Sequence, residues 1–231
     1  MATDRTLRDT VYTALRDRIV GLHHPPGSRL IERDLATELD VSRIPLREAL
    51  QLLQQDGLVV IVPRQGAIVA PFTADDVRDL FDVRESLEVL AARLAAERAT
   101  PAGLARLREH MDAARDAAHR HDEAATASAN AAFHHEVVAI AANPLLSDMM
   151  RPLAARVQWL FHLTRRRDPV RQCEEHEEMY TAFADGDVTA AERLAFDHVR
   201  SGRAESIELA GGWSTGGIDP VAATRTRRRL G

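Results

Sequence analysis

At 231 residues the chain exceeds the usual single-domain size of about 100–150, so two domains are expected, each large enough for its own core. A composition of 45% hydrophobic and 28% charged residues is that of a soluble globular protein, and no window approaches the roughly 18 consecutive apolar residues of a membrane span, so no membrane partner is expected. The net charge of −5 argues against an evenly nucleic-acid-binding surface, but it is uneven: residues 1–71 carry 9 Arg against 9 acids, 72–210 carry 17 against 25, and 211–231 carry 4 against 1.

The start, charged from Asp4 onward, lacks the apolar core of a secretory signal, and a cytoplasmic location is expected. The single cysteine, Cys173, has no partner for a disulfide or a C-x-x-C site. All 30 basic residues are arginine, which we read as genome composition rather than function.

Leu7, Val11, Leu15 and Ile19 recur at i, i+4 and predict a first helix, ended by the turn Pro25-Pro26-Gly27. A short second helix is expected from Glu32 to Leu39, and Asp40-Val41 turns the chain toward Ser42. Ser42 is a good N-cap, and Pro45 falls in the first turn, where a missing N–H costs nothing. The third helix runs from Arg43 to Asp56, with Leu46, Ala49, Leu50 and Leu53 inward and Arg43 and Arg47 one turn apart outward. Gly57 stops it. Two β-rich runs, 58–62 and 67–70, flank Pro63-Arg64-Gln65-Gly66 and read as a hairpin with a basic tip. This order of three helices and a hairpin is a winged helix-turn-helix over 1–71, on which Arg33, Arg43, Arg47 and Arg64 can converge.

From Thr73 the pattern is wholly helical. Thr73 caps a helix running to Ala99, Thr100-Pro101 starts the next, and Asn143-Pro144, Asp168-Pro169 and Gly186-Asp187 mark further breaks. The fold class expected is mainly α: a winged helix-turn-helix followed by an antiparallel bundle of about six helices over 72–210. Residues 211–231 lack periodicity and read as a disordered basic tail.

The runs Pro26-Gly27-Ser28-Arg29-Leu30, Glu32-Arg33-Asp34-Leu35-Ala36, Ser42 to Leu50 and Gly57-Leu58-Val59 resemble the GntR family of bacterial regulators. Phe133-His134, Asn143-Pro144-Leu145, Glu175-His176 and His198 resemble the FCD effector domain of that family's FadR-like branch. The resemblance implies a transcriptional regulator, read here as a repressor, binding double-stranded operator DNA at a pseudo-palindrome as a homodimer. By the same resemblance Arg33, Arg43 and Arg47 contact DNA, and Gly66 lets the wing backbone approach the minor groove. Ser42 at a helix N-terminus favours a phosphate, and Arg47 can fork onto guanine O6 and N7.

In the second domain Asn130 and His134 share a helical face at i, i+4, and His176 and His198 stand on two other helices. The resembling domain holds an Asp and three His at these positions, which implies a divalent metal ion such as zinc or nickel. Taken singly each His is more often a plain polar residue, as His135 is expected to be. Asn130 departs from the Asp pattern: a neutral amide oxygen binds metal more weakly and leaves the ion more positive. Arg84 matches an arginine that faces the cavity in related domains and can clamp a carboxylate, which points to a small organic or sugar acid effector; it can equally pair with Glu88 at i+4.

The second reading is a metal-dependent helical-bundle enzyme. No histidine has Glu three residues before it, as di-iron bundles require, and His135-Glu136 is followed by Val137, Val138 and Ala139 rather than by the spacing of a zinc protease. The expectation is therefore a regulator and not an enzyme.

Overall fold

The computed structural model describes residues 6–62, 66–163 and 168–212. The chain folds as two compact units, one through Phe72 and the other Thr73–Gly212.

In the first unit α1 spans Leu7–Val20, and the Thr6 hydroxyl caps it by accepting from the Asp9 amide. Val11, Leu15 and Ile19 are buried along one stripe, while Leu7 is exposed. α2 is Glu32–Glu38 and α3 is Arg43–Gln55. The turn between them carries Asp40 at φ +51°, a left-handed residue that reverses the chain in little space. Leu46, Ala49, Leu50 and Leu53 of α3 are all buried, as the expected inward stripe requires. Tyr12 on α1 donates a 2.5 Å hydrogen bond to Asp56 at the end of α3, tying the two helices together.

The hairpin consists of β2, Val59–Val62, and β3, Gly66–Val69, and a third strand, β1 at Arg29–Leu30, adds to β3 in the order β1-β3-β2. All pairs are antiparallel, with Arg29 opposite Ile68 and Ile61 opposite Ala67. β1 lies outside the sequence expectation because two residues are too short to show a period. Arg64, at the expected hairpin tip, lies outside the described residues.

The second unit is a bundle of α4 Ala74–Arg98, α5 Pro101–His119, α6 Glu123–Ile140, α7 Pro144–Leu163, α8 Pro169–Asp185, α9 Val188–Ser201 and α10 Arg203–Gly211. The expected breaks carry real caps. Thr73 and Asp76 form a capping box, and Thr100 and Asp168 accept from Gly103 and Val170 amides ahead of Pro at the helix start. The last expected helix is interrupted at Gly202, so α9 and α10 are separate elements. Ala91, Ala92, Ala95, Ala191 and Ala195 fill the α4–α9 side of the core, and such small side chains let two helices approach closely. Phe133, Phe183 and Met111 supply the bulk. Residues 213–231, most of the expected tail, lie outside the described residues. No described helix is long and apolar enough to cross a membrane.

Candidate functional site

Two groups of predicted residues stand on two different units. In the first, Arg33, Arg43, Arg47 and Gly66 line one open concavity with Glu32 and Gln51. Arg33 and Arg47 keep 79% and 61% of their side chains exposed, against ion pairs to Asp34 at 3.1 Å and to Glu32 at 2.9 Å. Exposed pairs of this kind are worth about 0–1 kcal/mol, little enough for a phosphate or a base edge to displace.

Ser42 holds the N-cap position of α3 in extended backbone, but its hydroxyl makes no capping bond. The sequence expectation of a capped helix is thus half met. The first turn, Arg43-Ile44-Pro45, contains no acid, so its amide donors and the positive end of the helix dipole are not neutralised from within the helix. Gly66 has φ +90°, and a Cβ there would stand 2.4 Å from the Leu30 carbonyl oxygen. The strand pairing of β1 and β3 therefore requires this glycine whatever it does toward DNA.

In the second unit His134 on α6, His176 on α8 and His198 on α9 bring one ring nitrogen each to within 4.8 Å of one another. His176 lies flat on Phe133, with ring centroids 3.9 Å apart. His134 Nδ1 sits 3.0 Å from a Glu88 oxygen, and His198 Nδ1 sits 2.7 Å from a Glu175 oxygen. An ionised carboxylate only accepts, so each of these Nδ1 atoms presents a proton to the carboxylate beside it and turns its Nε2 toward the cluster.

Those two Nε2 atoms face each other at 3.3 Å. Two imidazole nitrogens stand this close when a proton or a metal cation lies between them. Nitrogens bound to one zinc ion about 2.0–2.1 Å away at a tetrahedral angle stand about 3.3–3.4 Å apart. His134 and His198 have the spacing of a divalent-ion pair, and the His176 nitrogen, in a set that spans up to 4.8 Å, would close inward to complete it; Glu88 and Glu175 stand where carboxylates orient metal-bound imidazoles. Asn130, 5% exposed, gives its amide N–H to Gln172 at 3.1 Å, and its buried Oδ1 has no hydrogen-bond partner among the described residues. A cavity of about 10 Å3, bordered by Glu88, His134, His198, Val137, Met179 and Ala195, has room for a single water or ion.

Arg84 is 1% exposed, and of its two alternatives the pairing with Glu88 is present, buried rather than on the surface. Nε donates to Glu88 Oε1 at 2.5 Å and one terminal nitrogen to Oε2 at 3.3 Å. The guanidinium lies against Phe81 and Phe161, and its remaining nitrogen, Nη1, is buried without a hydrogen-bond partner among the described residues. Burial alone pushes the Glu88 carboxyl up, but the Arg84 charge and the His134 hydrogen bond outweigh it and hold it well below the usual carboxylate range. Sequence reasoning missed the part Glu88 and Glu175 play in holding the imidazoles. The signal available was the need of any ligating imidazole for an acceptor on its other nitrogen. It also missed Ile44, whose side chain stands 71% exposed on the leading turn of α3.

A winged helix-turn-helix ahead of a separate helical bundle defines a DNA-binding regulator with a second, all-helical domain. The profile described as bacterial regulatory proteins, gntR family, matches residues 7–69, and that of the FCD domain matches residues 79–201. An uncharacterized HTH-type transcriptional regulator from an unstable DNA locus of Streptomyces ambofaciens is 30% identical over 220 residues, covering 89% of this chain and 90% of that protein. The Nta operon transcriptional regulator of Aminobacter aminovorans is 29% identical, covering 82% and 90%. The crystal structure of a putative GntR transcriptional regulator from Rhodococcus sp. RHA1 matches with a TM-score of 0.75 at 28% identity, covering 90% of this chain and 99% of that one. The chain belongs to the GntR family of DNA-binding transcriptional regulators and carries an FCD domain.

Proposed function

We propose that this regulator acts as a repressor, binding a pseudo-palindromic operator in double-stranded DNA as a homodimer. A small organic or sugar acid, held with a divalent metal ion in the helical unit, changes that affinity. The exposed arginines Arg33, Arg43 and Arg47 around one concavity support the DNA contacts, with Ser42, Pro45 and Gly66 setting the backbone that phosphates approach; Arg64 completes the set on sequence grounds. One winged helix offers a small interface, which favours two copies on two half-sites.

The observation that carries the sensing half is the meeting of three imidazoles from three helices, two of them paired with carboxylates, the buried Glu88 and the half-buried Glu175. His134, His176 and His198 would hold zinc, nickel or a similar ion, with the Asn130 amide oxygen as a weak neutral fourth donor. Such an ion supplies an open coordination position for a carboxylate. Because Asn130 brings no charge, the bound ion keeps more of its positive charge for that acid. The fork face of Arg84 is taken by Glu88, so an acid finds only Nη1, and a cavity of about 10 Å3 admits it only if the surrounding helices part.

The test strips the purified chain with a chelator, adds zinc or nickel, and measures uptake together with operator affinity across a panel of small carboxylic acids. About one ion per chain, lost when His134, His176 and His198 are all replaced by Ala, and an acid-dependent shift in operator binding that needs the metal are expected. Equal uptake by the triple variant would overturn the metal site.

A further inference from the structure

Ile44 is the most exposed of the large hydrophobic side chains among the described residues, at 71%, while Leu46, Ala49, Leu50 and Leu53 of the same helix are buried. A lone surface isoleucine needs no explanation in most places. This one stands between Arg43 and Arg47 on the turn that leads a DNA-binding helix, in a first turn free of acids and next to a helix start that Ser42 leaves uncapped. Arginine at these positions answers phosphates and guanine, which are anionic or hydrogen-bonding. An isoleucine has nothing to offer either. In the major groove the one apolar feature on a base edge is the C5-methyl of thymine.

We propose that Ile44 is a specificity-determining residue that reads a thymine methyl, so that each operator half-site carries a thymine beside the bases or phosphates met by Arg43 and Arg47. The inference rests on operator binding by α3 and adds to it the identity of one base. Arg43 and Arg47 answer guanine and phosphate, whereas Ile44 discriminates thymine from cytosine, whose C5 carries only hydrogen. The β-branched side chain suits the task because its χ1 is restricted, so little rotamer freedom is lost on contact.

The full-length chain is first used to select its preferred duplex from a randomised pool. Each thymidine of that duplex is then replaced in turn by deoxyuridine, which removes the methyl and leaves every hydrogen-bonding group in place. Competition binding at fixed salt is expected to show about a fourfold loss at one thymine per half-site, the value of one buried methyl group. The variant Ile44→Ala, whose thermal unfolding should match the parent because the side chain is exposed, is expected to bind thymidine and deoxyuridine duplexes equally at that position. A preferred duplex whose affinity ignores every methyl, or an Ile44→Ala variant that keeps the parent's methyl sensitivity, overturns the assignment to Ile44 alone. Failure to enrich any duplex overturns operator reading by α3 and this inference with it.

Discussion

Glu88 shows how much one side chain can carry. It is 7% exposed and shared between Arg84 and His134, so replacing it strands a buried guanidinium and loosens an imidazole together. Removing one partner of a buried ion pair costs about 3–5 kcal/mol, and losing the carboxylate behind a ligating histidine costs about 10–100-fold in metal affinity. Glu88→Gln, which keeps the shape but not the charge, is expected to lower the unfolding midpoint and to weaken zinc uptake within that range, measured by denaturant titration and competitive chelation. Unchanged uptake would remove Glu88 from the site. Arg47 has the opposite character, exposed and, among the described residues, paired with Glu32. Arg47→Ala is expected to lower affinity for the selected operator by about 1–3 kcal/mol while random-sequence DNA loses far less, because base contacts specify and phosphate contacts position. Equal loss on both duplexes in a gel-shift titration would make Arg47 a phosphate contact only.

Among the elements, the wing and the α1–α3 pair depend on single atoms. Gly66→Ala forces a Cβ onto the Leu30 carbonyl at a positive φ and is expected to cost about 1–3 kcal/mol through the β1–β3 pairing, visible as a lower midpoint with or without DNA. Tyr12 is held by burial and by Asp56, which push its hydroxyl up to about 12. The folded state therefore grips that proton more tightly than the unfolded chain does. The resulting stabilisation is complete below about pH 10 and fades as pH climbs toward 12. Tyr12→Phe should flatten the stability–pH curve in that window, followed by circular dichroism in denaturant; parallel curves would mean the bond contributes nothing. Elements with local signals were readable in the residues: Thr73, Thr100-Pro101 and Asp168-Pro169 announce helix starts because caps are chemistry within three or four residues. β1 was hidden because its existence depends on Ile68 and Ala67, nearly forty residues away. The break at Gly202 was hidden because a glycine within a helical pattern is often tolerated. The histidine cluster was legible only through family resemblance, and its Glu88 and Glu175 partners, which come from other turns and helices, only in three dimensions.

For the whole molecule, linkage constrains the proposed sensing without any knowledge of how the two units are arranged. If an acid lowers operator affinity by some factor, the operator lowers the acid's affinity by the same factor, typically about 5–150-fold. Calorimetric titration of the acid into metal-loaded protein, with and without saturating operator, is expected to return equal factors; unequal ones would mean that the two ligands do not report on one shared equilibrium. The leading turn of α3 has a consequence of the same thermodynamic kind. Ser42 withholds its hydroxyl from the helix it begins, and a helix end left so gives up about 0.5–2 kcal/mol. A phosphate arriving there would finish the helix, so bound DNA is itself a stabilising ligand for this turn. Amide hydrogens of Arg43 and Ile44 should exchange quickly with deuterated solvent in the free protein and slow on the operator, making the incompleteness of one helix the means by which occupancy of the promoter is felt in the protein's own backbone.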